Sequence, residues 1–247
     1  GGKSSRVWTR TRSEVDGARL RRVSMSLTIS KEPSLRELGA PLLPRWLQCA
    51  RQALDGVLPP YETLSAAAER GSGLREIDVR QINLDLKRSR VDGLGLSSDE
   101  EFEDHRQRLR RILRSWCVLR PDIGYSQGMN FLGATLLGLC GEVEEEAFVL
   151  LVALIRKLPH DFYAESPPLH GFHVETGALR LLVESRLPTL VAGKGAATLG
   201  EMLPVVASRW LLTLWVDVLP LSQLVLVWNL HLTSDTPVNL RVALAVS

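Results

Sequence analysis

The chain has 247 residues, 45% hydrophobic and 23% charged, which fits a folded globular protein with a sizeable core and not a disordered or fibrous one. Lys and Arg (30) nearly balance Asp and Glu (28), so no overall field would hold nucleic acid or an anionic membrane surface by charge alone, and any partner must be read locally. Cys49, Cys117 and Cys140 are odd in number, far apart and set among apolar neighbours. That pattern lacks the close pairs of a zinc site and reads as reduced core thiols in a cytosolic protein.

Residues 1–34 are polar and rich in Arg and Ser, and read as an N-terminal extension with little order and no apolar segment of the secretory type. From Arg36 onward apolar residues recur at helical spacing and strand signals are almost absent, which predicts an all-α fold, a single irregular multi-helix domain over residues 35–247. Pro and Gly clusters at Leu58–Pro60, Gly71–Gly73, Gly93–Gly95, Pro121–Gly124, Ser166–Pro168 and Gly193–Gly195 punctuate it. The clearest helix is expected over Ser98–Leu119, with Ser97 and Glu100 at capping-box spacing, acidic residues in the first turns and arginines after them. Phe102, Leu109, Ile112, Leu113 and Trp116 share one face of it, leaving its arginines on a solvated face. A polar turn over residues 122–130 then leads into an apolar helix, Phe131–Leu139.

Further helices are expected at Glu144–Lys157, Gly177–Arg186, Met202–Val216 and Leu221–Leu232, with no repeat of fixed period. The stretch Leu211–Leu230 has bilayer length, but Asp217 lies near its middle, at roughly 2.5–3.5 kcal/mol in a bilayer, and Pro220 follows. Two buried helices meeting near Leu219–Pro220 account for it better than a membrane span.

Ordinary catalytic constellations are missing. The histidines His105, His160, His170, His173 and His231 form no His-Glu-x-x-His pair, and neither a Gly-x-Ser-x-Gly elbow nor a Walker loop is present. No metal or cofactor of its own is therefore expected. Two segments place polar residues where a core helix would not need them. In Ile82-Asn83-Leu84-Asp85-Leu86-Lys87-Arg88, Asp85 and Arg88 fall three apart, so on a helix they are surface neighbours and the carboxylate can orient the guanidinium. In Asp122-Ile123-Gly124-Tyr125-Ser126-Gln127-Gly128-Met129-Asn130, a glutamine flanked by small residues opens a helix with its amide exposed.

Ile-x-x-Asp-x-x-Arg followed by Tyr-x-Gln-Gly-Met resembles the two finger motifs of TBC-domain Rab GTPase activators. The similarity continues through Leu109–Leu113, Glu146–Phe148, Leu187-Pro188, Trp210–Leu214, Leu219–Leu221 and Val227-Trp228-Asn229, covering roughly Leu38 to Ser247. The chain departs from the family pattern in four places. After Gly39-Ala40-Pro41 and Arg45, the position where the family has Trp is Cys49, with Trp46 nearby. Asn229 stands for the family's Asp. Ser89–Gly93 replaces the usual Thr and Pro after the arginine, a change expected to move that loop. The chain also stops inside an apolar run, Val242–Val246, where the family fold continues.

The resemblance implies an activator of a Rab-family GTPase, acting in the cytoplasm and meeting membranes only through that partner. Arg88 would meet the negative charge that develops at the transferring phosphoryl group and Gln127 would orient the attacking water. Asp85 would hold Arg88, the Tyr125 and Gly128 backbone would place Gln127, and Ile82, Met129 and Arg45 would support the site; GTP and magnesium would belong to the partner. A binding or scaffold module with the same fold and weak catalysis is the alternative. Which Rab is recognised depends on surface shape across the whole groove and is not written in these motifs.

Overall fold

The computed structural model describes residues 33–91, 93–188, 195–216, 218–234 and 238–246. The N-terminal extension read from the sequence lies outside these residues except for Pro33 and Ser34. Every regular element among them is helical: α1 Leu35–Gly39, α2 Leu43–Leu54, α3 Tyr61–Glu69, α4 Glu76–Asp85, a 3-10 turn Leu86–Arg88, α5 Asp99–Leu119, α6 Met129–Leu139, α7 Glu144–Arg156, α8 His170–Arg186, α9 Gly195–Leu211, α10 Leu221–Thr233 and α11 Val238–Val246.

Helix α6 sits at the centre because nothing on it needs water. Every residue from Met129 to Leu139 is buried except half-buried Phe131, the pattern of a helix apolar all round. It packs against α5 and α7, and α1 crosses it where Gly39 comes so close to the Leu139 carbonyl that a methyl group would sit 2.6 Å from its oxygen. Helix α5 also packs against α3, α4 and α7, while α7 touches α2 and α10; α8 pairs with α9 and α11. Four fully buried tryptophans, Trp46, Trp116, Trp215 and Trp228, fill the layers between. Three of their indole N–H groups have oxygen partners, as buried polar edges require: Asn229 Oδ1, the Gly124 carbonyl and the Leu214 carbonyl, each at 2.9 Å.

Several boundaries differ from the sequence expectation for identifiable reasons. The capping box of α5 is Ser98 with Glu101, one residue later than Ser97 with Glu100, because the run Ser-Ser-Asp-Glu-Glu offers the same spacing twice. Helix α8 starts at His170 and runs through Gly177, where no neighbour competes for the space. Helix α9 begins at Gly195 and ends at Leu211; the chain then turns through residues 212–216, with Leu214 and Trp215 at φ of 44° and 73°. The junction with α10 is thus a broad turn and not a corner at Leu219–Pro220. The arginines of α5 are not simply solvated either: Arg108 donates to the Glu142 carbonyl at 3.1 Å, and Arg111 pairs with Glu144 at the start of α7. All three cysteines are free, Cys117 and Cys140 buried and Cys49 half-buried, and burial pushes the Cys117 thiol up to about 12. Among the described residues no helix is long and apolar enough to cross a membrane.

Candidate functional site

On α4, Asp78, Ile82 and Asp85 recur at helical spacing and all point inward. Asp85 is fully covered, at 0% exposure, which corrects its placement as a surface neighbour of Arg88. A carboxylate in that position needs donors, and it has three: Arg88 Nη2 at 2.7 Å, Gln81 Nε2 at 3.1 Å and the Tyr125 hydroxyl at 2.7 Å. Tightening of α4 into the 3-10 turn carries Arg88 outward, so its side chain stays 55% exposed while Asp85 fixes one edge of the guanidinium. Ile82 is a core residue at 0% exposure.

The glutamine segment is held at nearly every residue. The Gly124 carbonyl accepts from Trp116 Nε1, the Tyr125 N–H donates to Asp78 at 3.0 Å, and the Gly128 N–H donates to Asn130 Oδ1 at 3.2 Å. Gly128 caps α6 with φ of 108°, and a Cβ there would lie 2.6 Å from the Leu212 carbonyl oxygen. Only glycine meets both conditions. Buried Met129 receives the Ser126 N–H on its sulfur at 3.4 Å. Between these fixed points Gln127 is exposed.

The two segments are joined by hydrogen bonds that, with the chain from Tyr125 to Asn130, close a ring. From Asp85 the Tyr125 hydroxyl reaches the glutamine segment. Asn130 Nδ2 returns to Ser89 Oγ at 3.0 Å, and Ser89 Oγ donates to the Asp85 carbonyl at 2.7 Å. The single phenolic proton goes to the carboxylate, since the alternative contact to Asn130 Oδ1 is longer at 3.2 Å. Burial, then donation to Asp85, raises the Tyr125 pKa, so the phenol keeps this proton. A second link is the bond from the Tyr125 N–H to Asp78; Arg75 binds that carboxylate in two places and also pairs with Glu165, and its pKa is raised, chiefly by the bond to Asp78.

Ser89, Asn130, Asp78, Gln81 and Arg75 were not singled out as supports. Asn130 stands inside the glutamine motif and Ser89 at a departure from the family pattern; the signal for both was an uncharged polar side chain close in sequence to Gln127 or Arg88. Because Ser89 is 4% exposed and supplies the hydroxyl of the ring, replacement of the family's Thr leaves that hydrogen-bonding group in place. Two other departures meet each other, since Trp46 Nε1 donates to Asn229. Arg45, by contrast, is exposed on α2 and makes no hydrogen bond or ion pair with either segment.

The arrangement presents one permanent cation and one neutral amide to solvent from a single rigid frame. It offers positioned donors and an acceptor at the surface, and among the described residues no group of His, Cys, Asp and Glu is placed to hold a metal.

A family model described as the Rab-GTPase-TBC domain matches residues 67–247. TBC1 domain family member 2A of Homo sapiens is 35% identical over 179 residues, covering 72% of this chain and 18% of that protein. Growth hormone-regulated TBC protein 1 is 33% identical over 138 residues in Rattus norvegicus (56% of this chain, 46% of that protein) and 30% over 167 residues in Xenopus laevis (67% and 46%). The chain spans less than half the length of these relatives. No solved structure matches it.

Proposed function

Because the chain belongs to the Rab-GTPase-TBC domain family, we propose that it accelerates GTP hydrolysis by a Rab-family GTPase, supplying Arg88 and Gln127 in trans. The observation that carries this reading is the hydrogen-bonded frame joining Asp85, Ser89, Tyr125 and Asn130, from which both side chains emerge exposed. In a slow GTPase the transition state spreads negative charge over the phosphoryl oxygens and the attacking water must be held in line. The Arg88 guanidinium is planar and always cationic, and Asp85 restricts its rotation, so less entropy is lost when it meets that charge. The Gln127 amide accepts from the water and donates to the phosphoryl group, which makes the partner's own switch glutamine redundant. GTP and magnesium belong to the partner, and membrane contact is through it.

Single-turnover phosphate release across a panel of Rab proteins tests the proposal. Removing an arginine supplied in trans costs about 10³–10⁵ in rate, so Arg88→Ala abolishes stimulation with binding retained, and Arg88→Lys rescues little. A Rab whose switch glutamine is replaced by Leu is still stimulated by the unmodified chain but not by Gln127→Ala. Stimulation by Arg88→Ala equal to that of the unmodified chain refutes the arginine role. A refractory Leu-substituted Rab beside a responsive native one refutes the glutamine role. Binding without stimulation by any Rab supports a scaffold module instead.

A further inference from the structure

Most arginines of α5 are matched to an acid: Arg106 to Glu103, Arg108 to Asp104, Arg111 to Glu144, with Arg120 just beyond the helix matched to Asp122. Arg110 and Arg114 break the pattern. They are one helical turn apart, which sets their side chains beside each other, and neither forms an ion pair among the described residues. Arg110 donates to Gln107 Oε1, whose amide nitrogen gives one of its two protons to Glu103 at 2.6 Å, and the Nε atoms of both arginines are buried with no hydrogen-bond partner. Like charges at this spacing repel, and the Arg114 pKa is lowered accordingly, first by burial and then by Arg110. Both face a cavity of about 500 Å³ between α3, α4 and α5, shared with the amides of Gln107 and exposed Asn83. The one carboxylate in its lining, Glu69, acts on Arg111, which Glu144 already holds.

We infer that this cavity binds a phosphate-bearing anion, bridged by the guanidinium groups of Arg110 and Arg114 with Asn83 and Gln107 donating to its remaining oxygens. A dianion between the two arginines turns their mutual repulsion into two charge-assisted contacts, and guanidinium forks match phosphate geometry. A carboxylate ligand offers only one charge and two oxygens for a site with two cations and two amides, so the phosphomonoester is the better match. The chemistry is shared by soluble phosphates and by phosphorylated lipid headgroups. The site does not involve Arg88 or Gln127, and its test is independent of GTPase activation.

The experiment measures binding of inorganic phosphate and of inositol hexakisphosphate by calorimetry and thermal shift. A parallel arm uses flotation with phosphatidylcholine vesicles containing phosphatidylinositol 4-phosphate. The unmodified chain shows saturable binding, and Arg114→Gln or Arg110→Gln weakens it about tenfold or more, while Arg180→Gln, which removes the same charge from an exposed pair on α8, leaves it unchanged. In phosphate-free buffer Arg114→Gln raises Tm, because it removes one of two repelling charges. Response to soluble phosphates with no vesicle flotation assigns a soluble ligand; flotation that Arg114→Gln abolishes assigns the headgroup. No saturable binding in either arm, binding by Arg110→Gln and Arg114→Gln as tight as that of the unmodified chain, or an equal loss in Arg180→Gln overturns the proposal.

Discussion

Replacing Tyr125 by Phe removes one hydroxyl and no ring, so it isolates the bond between the arginine and glutamine segments. Asp85 is fully covered and keeps two of its three donors, Arg88 and Gln81. The lost bond is to a buried acidic group, a contact in the range of about 1.5–3 kcal/mol, and no water replaces it at zero exposure. In a domain of this size each kcal/mol shifts Tm by about 2–4 °C, so Tyr125→Phe lowers Tm by about 3–12 °C from the two ranges combined. Denaturant unfolding followed by far-UV circular dichroism measures it. Combining Tyr125→Phe with Asp85→Asn in a double-mutant cycle separates this bond from general loosening, and a coupling of at least about 1 kcal/mol is expected. Hydrolysis stimulated on a responsive Rab falls as well, since Gln127 then stands on a loop freed at one end. A Tyr125→Phe chain within about 0.5 kcal/mol of the original, with coupling near zero, refutes the idea that Asp85 and Tyr125 unite the two segments.

Gly128→Ala combines a φ of 108° with a Cβ placed 2.6 Å from the Leu212 carbonyl oxygen, and thermal unfolding should show a loss of at least about 2 kcal/mol. Asn229→Ala strips the acceptor from the fully buried Trp46 indole and costs about 1–3 kcal/mol, whereas Asn229→Asp, which keeps an acceptor, costs less; equal losses on chemical denaturation contradict the hydrogen-bond account. His231 is buried with Nε2 2.9 Å from Asn239 Oδ1, and burial lowers its pKa from 6.5 to about 4. The unfolded chain therefore binds the proton first: stability is intact above pH 6.5, falls as the pH drops toward 4 by roughly 3 kcal/mol in all, and levels off below. His231→Gln loses that part of the pH dependence, and an unchanged stability profile speaks against a neutral buried histidine.

The sequence was most informative where one force dominates. Helix α5 keeps its expected C-terminus at Leu119 and α7 its start at Glu144, because acidic first turns and a steady apolar stripe coincide there. The arginine and glutamine segments were legible as motifs, and Arg88 and Gln127 are exposed. The frame beneath them was not. Asp78 and Asp85 share the buried face of α4 with Ile82, a placement that helical periodicity alone argues against because lone carboxylates avoid the interior. What reverses the preference are the donors that meet them: Tyr125 from across the fold for both, with Arg75 beside Asp78 and Gln81 and Arg88 beside Asp85. The turn after α9 was illegible for a similar reason. Leu212–Val216 reads as more helix, yet Leu214 and Trp215 take positive φ to seat their side chains at 0% exposure, and tertiary packing overrides local preference.

Gly128 rests against the Leu212 carbonyl, which also accepts the Tyr163 hydroxyl at 2.8 Å. A ribosome therefore releases both motif segments well before it makes the residue that closes the seat of the second. Chains fold from the N-terminal side as they emerge, but a unit sets only when its last contact is available. A nascent chain ending short of Leu212 contains every residue of the Asp85–Tyr125 ring and lacks the wall against which Gly128 turns. Fragments that carry the two motif peptides alone should thus fail to present Gln127 in its folded geometry, and the shortest competent piece of this chain must extend through the turn that follows α9.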